Sequence, residues 1–242
     1  MQATLQTLVT VIYPPRCLGC GTLVGSDFGL CPACWRDTPF IGGLVCDSCG
    51  MPLPGEGDGC RIECDDCLAL PRPWDQGRAA LLYKDQGRRL VMALKHGDRT
   101  DIARPAASWM ARAARPIISP DMLVAPVPLH WLRLAKRRYN QAALLSRALA
   151  GDLGLDHCPD LFQRIRRTVS LDNRSAADRH EILGQAIRVH PRRAQRIAGR
   201  SLLLVDDVMT SGATLAATSR AAHAAGAARV CVITLARVAK EA

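Results

Sequence analysis

Four pairs of cysteines, each pair two residues apart, crowd the first third of the chain: Cys17 and Cys20, Cys31 and Cys34, Cys46 and Cys49, Cys64 and Cys67. One Cys-x-x-Cys pair supplies two sulfurs, and two pairs complete a tetrahedron of thiolates, so eight cysteines make two all-thiolate Zn2+ sites. The pattern repeats, Cys17-x-x-Cys20-Gly21 being followed by Cys46-x-x-Cys49-Gly50. Glycine after the second sulfur suits a turn that aims successive amides at a metal-bound thiolate, because it tolerates positive φ. Disulfides are the competing reading, but the eleven cysteines are an odd number and the first thirteen residues lack the basic start and unbroken apolar core of a signal peptide. A thioredoxin-like redox pair is disfavoured because every pair has a similar pair nearby. The surplus Cys60 could replace Cys64, yet Cys64 keeps the two-residue spacing to Cys67.

A second constellation lies near the other end, at Asp206-Asp207 followed by Thr210-Ser211-Gly212-Ala213-Thr214. Paired carboxylates can accept the hydroxyls of a sugar. A loop of small, hydroxyl-bearing residues that opens a helix can hold one phosphate against its free amides. A nucleoside-triphosphate loop would carry Gly-Lys-Ser/Thr, and this loop has no lysine. The chemistry indicated is recognition of a sugar monophosphate. The competing reading is an acid pair that merely caps the helix or lies in a solvated turn.

The elements that must position these groups are legible around them. Leu202 to Val205 reads as a strand buried on both faces, as inside a parallel sheet, and the acid pair then falls at its carboxyl end, where open α/β sheets bind ligands. A helix from Leu215 to Ala225 and a strand from Arg229 to Leu235 follow, with Gly226 between them. The cysteine-rich segment is too rich in Gly and Pro to build an adequate core unaided, so its zinc is expected to be structural. Leu5, Leu8, Val9 and Ile12 mark one face of a short helix ended by Pro14 and Pro15.

Charge divides the chain along the same line. Residues 1–75 hold 4 Lys and Arg against 9 Asp and Glu, whereas the remainder holds 28 against 13, giving the overall +10. A boundary at Pro71-Arg72-Pro73 separates residues 1–73, a double zinc ribbon, from residues 74–242. With 48% hydrophobic residues and no run of 18 apolar ones, the expected protein is globular, cytoplasmic and not inserted in a membrane. Aromatic residues are only 4%, which argues against a nucleic-acid surface built on stacked rings. Any such contact would rest on charge, and basic residues do cluster: Arg133, Lys136, Arg137 and Arg138; Arg164, Arg166 and Arg167; Arg192, Arg193, Arg196 and Arg200. These fit either a groove for a DNA backbone or a solvated face.

Val205-Asp-Asp-Val-Met-Thr-Ser-Gly-Ala-Thr214 resembles the phosphoribosyl-pyrophosphate (PRPP) motif of the type I phosphoribosyltransferases. Together with the cysteine pairs, Leu94-Lys-His-Gly97, Val124-Ala-Pro-Val-Pro-Leu-His130 and Arg137-Arg-Tyr-Asn-Gln141, it makes the chain resemble the ComF family of competence-associated proteins. That resemblance implies a type I phosphoribosyltransferase-like parallel sheet with helices on both faces, preceded by a small double zinc ribbon. It implies that Asp206 and Asp207 bind the ribose hydroxyls of PRPP and that Thr210, Ser211, Gly212, Ala213 and Thr214 bind its 5-phosphate. Pro126, Val127, Pro128, Leu129 and His130 resemble the pyrophosphate loop, with Arg133 following, and Mg2+ would accompany the ligand. The expected activity is PRPP binding linked to DNA uptake and natural transformation, with transfer to an unidentified acceptor. The alternative is a non-catalytic adaptor for single-stranded DNA and uptake proteins, with Lys136, Arg137, Arg138, Arg164, Arg166 and Arg167 as its DNA contacts. Between the two loops the family pattern Thr-x-x-Gln meets Leu171 at the Gln position. Lys95 and His96 read as helix-end charges, and residues 78–115 are the material left for a base-reading hood.

Overall fold

A computed structural model describes residues 14–25, 29–57, 59–129, 139–165 and 186–239. The amino-terminal helix expected before Pro14 lies outside the described residues, as do His130, Arg133, Lys136, Arg137, Arg138, Arg166, Arg167 and Leu171.

Five parallel strands form the central sheet: β1 (Gln76–Leu82), β2 (Leu123–Pro126), β3 (Asp156–His157), β6 (Ser201–Met209) and β7 (Arg229–Arg237), in the order β1-β7-β6-β2-β3. Strands β4 (Phe162–Arg164) and β5 (Ile187–Val189) pair separately as an antiparallel ribbon. Leu202 to Val205 are fully buried, as the unbroken apolar run requires of a strand covered on both sides. One face packs on α3 (Asp85–His96), α4 (Ala103–Ala114) and α5 (Gln141–Leu153), through Leu90, Leu94, Met110, Leu145 and Leu149. The other packs on α6 (Ala213–Ala224), through Leu215, Ala216 and Ala217. The helix begins two residues before the expected Leu215, and the strand continues through the acid pair to Met209, so both carboxylates sit within the second half of β6.

Residues 78–115 do not form a separate hood. They build β1 and the helices α3 and α4, so this material is consumed by the central sheet and one of its faces.

The cysteine-rich segment carries only two short helices, α1 (Pro32–Arg36) and α2 (Asp65–Ala69). It grips the free edge of β1. Ile41 N donates to Ala80 O at 2.9 Å, Leu82 N to Pro39 O at 2.9 Å and Gly77 N to Asp47 O at 2.7 Å. The first cysteine cluster lies on the α3–α4 side, where Leu18 enters the core and Trp35, Phe40 and Trp109 form a chain of rings 4.5 and 5.4 Å apart. The second lies on the α6 side, with Cys46, Cys49 and Cys67 buried in one core with Trp74, Leu204 and Val232. Among the described residues no helix is long and apolar enough to cross a membrane.

Candidate functional site

Both cysteine clusters close as their spacing demands. The sulfurs of Cys17, Cys20, Cys31 and Cys34 lie within 4.8 Å of one another, and so do those of Cys46, Cys49, Cys64 and Cys67. The Sγ separations of 3.7 Å between Cys20 and Cys31, and 3.6 Å between Cys49 and Cys64, match the edge of about 3.8 Å that a tetrahedron of Zn–S bonds requires. Cys64 rather than Cys60 joins the second cluster. Gly21 and Gly50 have φ of +77° and +70°, the conformation a metal-binding turn asks of them. Backbone amides of Gly19 and Cys31 donate to Cys17 Sγ at 3.4 and 3.2 Å. Burial alone would push the Cys17 thiol up, but the amides of Cys31, Cys20 and Gly19 outweigh it and bring it down to about 6. Hydrogen bonds from Cys49 and Cys67 likewise lower the Cys46 thiol. Two tetrahedral sets of four sulfurs, with amide donors beside them, fit two structural zinc ions.

The second constellation gathers at the carboxyl edge of the sheet. Because β2 and β6 run parallel with Pro126 opposite Val205, the residues after β2 come level with the acid pair. Pro126, Val127 and Pro128 are buried, Leu129 is partly so, and Val127 N donates to Val205 O at 2.9 Å. Asn140 fixes this turn from behind. Its Nδ2 donates to Val127 O at 3.2 Å while its Oδ1 caps α5 by accepting from Ala142 N at 3.0 Å. Thr210, Ser211 and Gly212 form the connection to α6, whereas Ala213 and Thr214 already belong to the first turn of that helix. Gly212 has φ of +77° at the N-cap, a backbone that L side chains rarely adopt.

Within the acid pair the two carboxyls differ. Asp207 forms an ion pair with Lys95 Nζ at 3.2 Å, the two side chains being 13% and 18% exposed. Asp206 Oδ1 accepts from Asp207 N at 2.8 Å. Burial, and then the neighbouring Asp207 charge, push the Asp206 carboxyl up to about 7, against the opposing pull of the Asp207 amide, Lys95 and Arg164. A carboxyl so poised gains from any cation or hydroxyl cluster that settles against it.

Lys95 is therefore more than a helix-end charge: it stands at the end of α3 and reaches the acid pair. The clue in the sequence was its place in Leu94-Lys-His-Gly97, one of the segments that carried the family resemblance. Arg164, a candidate DNA contact by sequence, sits on β4 where its charge acts on Asp206. In the third basic cluster, Arg193 pairs with Asp160 at 2.8 Å and Arg200 with Asp156 at 3.2 Å.

Behind the loop stand residues that spacing could not reveal. Arg237 is 3% exposed, and its Nη1 donates to Met209 O at 3.2 Å and Thr210 O at 2.8 Å. Arg72 Nη1 donates to Ser211 O at 2.8 Å, its Nε to Cys67 Sγ at 3.4 Å. Trp74 donates through Nε1 to Ser48 O, between two zinc ligands.

Comparison with known proteins agrees with this division of labour. Residues 8–68 match the double zinc ribbon domain and residues 145–242 the phosphoribosyl transferase domain. The DNA utilization protein YhgH of Salmonella typhimurium is 32% identical over 218 residues, covering 88% of this chain and 92% of its own. Competence protein F of Haemophilus influenzae is 29% identical over 228 residues, covering 92% and 96%. Among solved structures, the glutamine PRPP amidotransferase from B. subtilis complexed with ADP and GMP matches 60% of this chain and 30% of its own at 16% identity and a TM-score of 0.40, too loose a likeness to bear on function. Near-full-length similarity to these relatives, with a ribbon ahead of a phosphoribosyltransferase-like sheet, makes the chain a member of the ComF family.

Proposed function

We propose that the protein binds PRPP, with Mg2+, at the carboxyl edge of the sheet, and that it serves DNA uptake and natural transformation in the cytoplasm. The supporting observation is the convergence of three features at that edge: the acid pair, the Thr210–Gly212 connection opening α6, and the Pro126–Leu129 turn beside β6. In this reading Asp206 and Asp207 accept the ribose hydroxyls, and the amides and hydroxyls of Thr210, Ser211, Gly212, Ala213 and Thr214 hold the 5-phosphate. Val127, Pro128 and Leu129 face the diphosphate, with His130 and Arg133 beyond them. Residues 1–73 act as the metal-stapled unit and residues 74–242 as the ligand-binding one.

The hard oxygens of Asp206 and Asp207 suit Mg2+, which when bound would neutralise leaving-group charge. The chain itself does the rest. Lys95 pairs with Asp207 and orients it, and the loop amides fix the phosphate end of the sugar. Departure of pyrophosphate from the anomeric carbon would leave an oxocarbenium-like centre, which the nearby carboxylates favour electrostatically. Neither aspartate is a nucleophile in this scheme. The link to DNA uptake draws on the printed names of the relatives, Competence protein F and DNA utilization protein YhgH.

The adaptor alternative draws on basic clusters, of which Arg193 and Arg200 already spend their charge on Asp160 and Asp156. The test is calorimetric titration with PRPP, with and without Mg2+, on the wild type and on Asp206→Asn/Asp207→Asn, followed by a pyrophosphate-release screen across bases and amines. Saturable Mg2+-dependent binding lost in the double variant supports the reading. Absence of binding to the wild type removes it.

A further inference from the structure

Two arginines hold the phosphate loop from behind, and one of them also meets the second cysteine cluster. Arg72 spans loop and cluster directly, one edge of its guanidinium donating to Cys67 Sγ and another to Ser211 O. Arg237 supports the loop as well, donating to Met209 O and Thr210 O. Every peptide bond among the described residues is trans, so a carbonyl and the following amide point opposite ways. Drawing Thr210 O and Ser211 O back toward the arginines turns the amides of Ser211 and Gly212 outward, the orientation an anion needs. Trp74 closes the same gap: a Cβ on Gly212 would stand 3.1 Å from its ring and 3.4 Å from Arg72 Nη1.

Charge makes this arrangement more than packing. Arg72 has no ion pair with a carboxylate among the described residues, and its Nε meets the Cys67 sulfur at 3.4 Å instead; a partly buried cation gains most from a counter-charge at that distance. Four thiolates around one Zn2+ carry a net charge of about −2, a counter-charge for the guanidinium that donates to one of the sulfurs. The thiolate donor set of Cys46, Cys49, Cys64 and Cys67 fits such a centre, as their mutual sulfur distances show.

We propose that the second zinc centre is the counterion of Arg72, and that this positioning residue couples its occupancy to the affinity of the phosphate loop for a sugar phosphate. The inference rests on the PRPP reading of the loop. Coupling is reciprocal: if the loaded centre tightens ligand binding tenfold, the ligand tightens metal binding by the same factor.

The test uses the full chain loaded with Co2+ at both sites, titrated with PRPP and Mg2+ while the thiolate-to-cobalt absorption and the rate of metal release to a chromogenic chelator are followed. In the wild type, PRPP is expected to perturb the absorption of one of the two metals and to slow its release about tenfold. Arg72→Met is expected to keep two metals, weaken PRPP about tenfold and abolish both metal signals, while Arg72→Lys recovers part of the affinity. PRPP binding that leaves both metals unaffected, or an Arg72→Met protein that behaves as the wild type, overturns the coupling and leaves the PRPP reading standing. A wild-type protein that does not bind PRPP overturns both.

Discussion

Asp206→Asn should make the protein more stable above neutral pH and should do so in a pH-dependent way. The carboxyl is raised from an ordinary aspartate value of 3.8 to about 7, chiefly by burial. Between those two values the folded state keeps a proton that the unfolded state has released, so stability falls as pH rises, by about 1.4 kcal/mol per pH unit for one group. Above pH 7 both states are ionised and the slope vanishes. From pH 5.5 to 7 the wild type should lose roughly 2 kcal/mol through this residue, with the full penalty reaching about 4 kcal/mol above pH 7. Asparagine keeps the oxygen that accepts the Asp207 amide but does not titrate. Urea denaturation of both proteins at matched zinc, every half unit from pH 5.5 to 8.5, isolates the effect, since metal loss at the acid end is common to both. The difference between the two curves should widen toward pH 7 and then hold constant. A constant difference across the whole range would mean that Asp206 titrates as a solvated carboxylate, and the argument for a poised site would fail.

Other outcomes are expected from the same geometry. Gly212→Ala combines a positive φ with a Cβ 3.1 Å from the Trp74 ring, so it should cost about 1–2 kcal/mol by urea midpoint and weaken PRPP binding in calorimetry. Lys95→Met removes the cation 3.2 Å from Asp207 and one that also pulls the Asp206 carboxyl down; the midpoint of the pH dependence of PRPP binding should therefore move upward. Cys46→Ser and Cys17→Ser should each lose one of two zinc ions in a colorimetric assay. Only Cys46→Ser should speed hydrogen exchange in α6, because Cys46 shares its core. Equal protection in both variants would contradict that sharing.

The parts of the molecule legible in the chain are those whose partners are near in sequence. The eight zinc ligands announce themselves in pairs, and Leu202–Val205, the acid pair and the hydroxyl-rich loop follow one another within thirteen residues, Leu202 to Thr214. The strand-to-helix turn was misjudged by only a few residues, since the strand absorbs the acid pair and the helix begins at Ala213. What escaped is long-range. Arg72 meets Ser211 across 139 residues and Arg237 meets Thr210 from the neighbouring strand, so neither stands out in a local pattern. The ribbons looked separable because composition changes at Pro71-Arg72-Pro73, yet composition says nothing of packing. Cys46, Cys49 and Cys67 lie in the core that covers one face of the sheet. Residues 78–115 looked available for a hood only because β1 is a short apolar run without a chemical signature.

The clasp on β1 bears on how the chain is made. Gln76 and Arg229, whose strands lie side by side, are separated by 153 residues. At 5–20 residues per second, β1 leaves the ribosome roughly 8–30 s before β7 can join it. An unpaired strand is an invitation to other nascent chains. The ribbon segment is translated first and shields one side of β1 through Pro39, Ile41 and Asp47. Zinc supply during translation should therefore govern yield: metal-starved cells would deliver this protein into inclusion bodies even when the finished, folded form tolerates chelators.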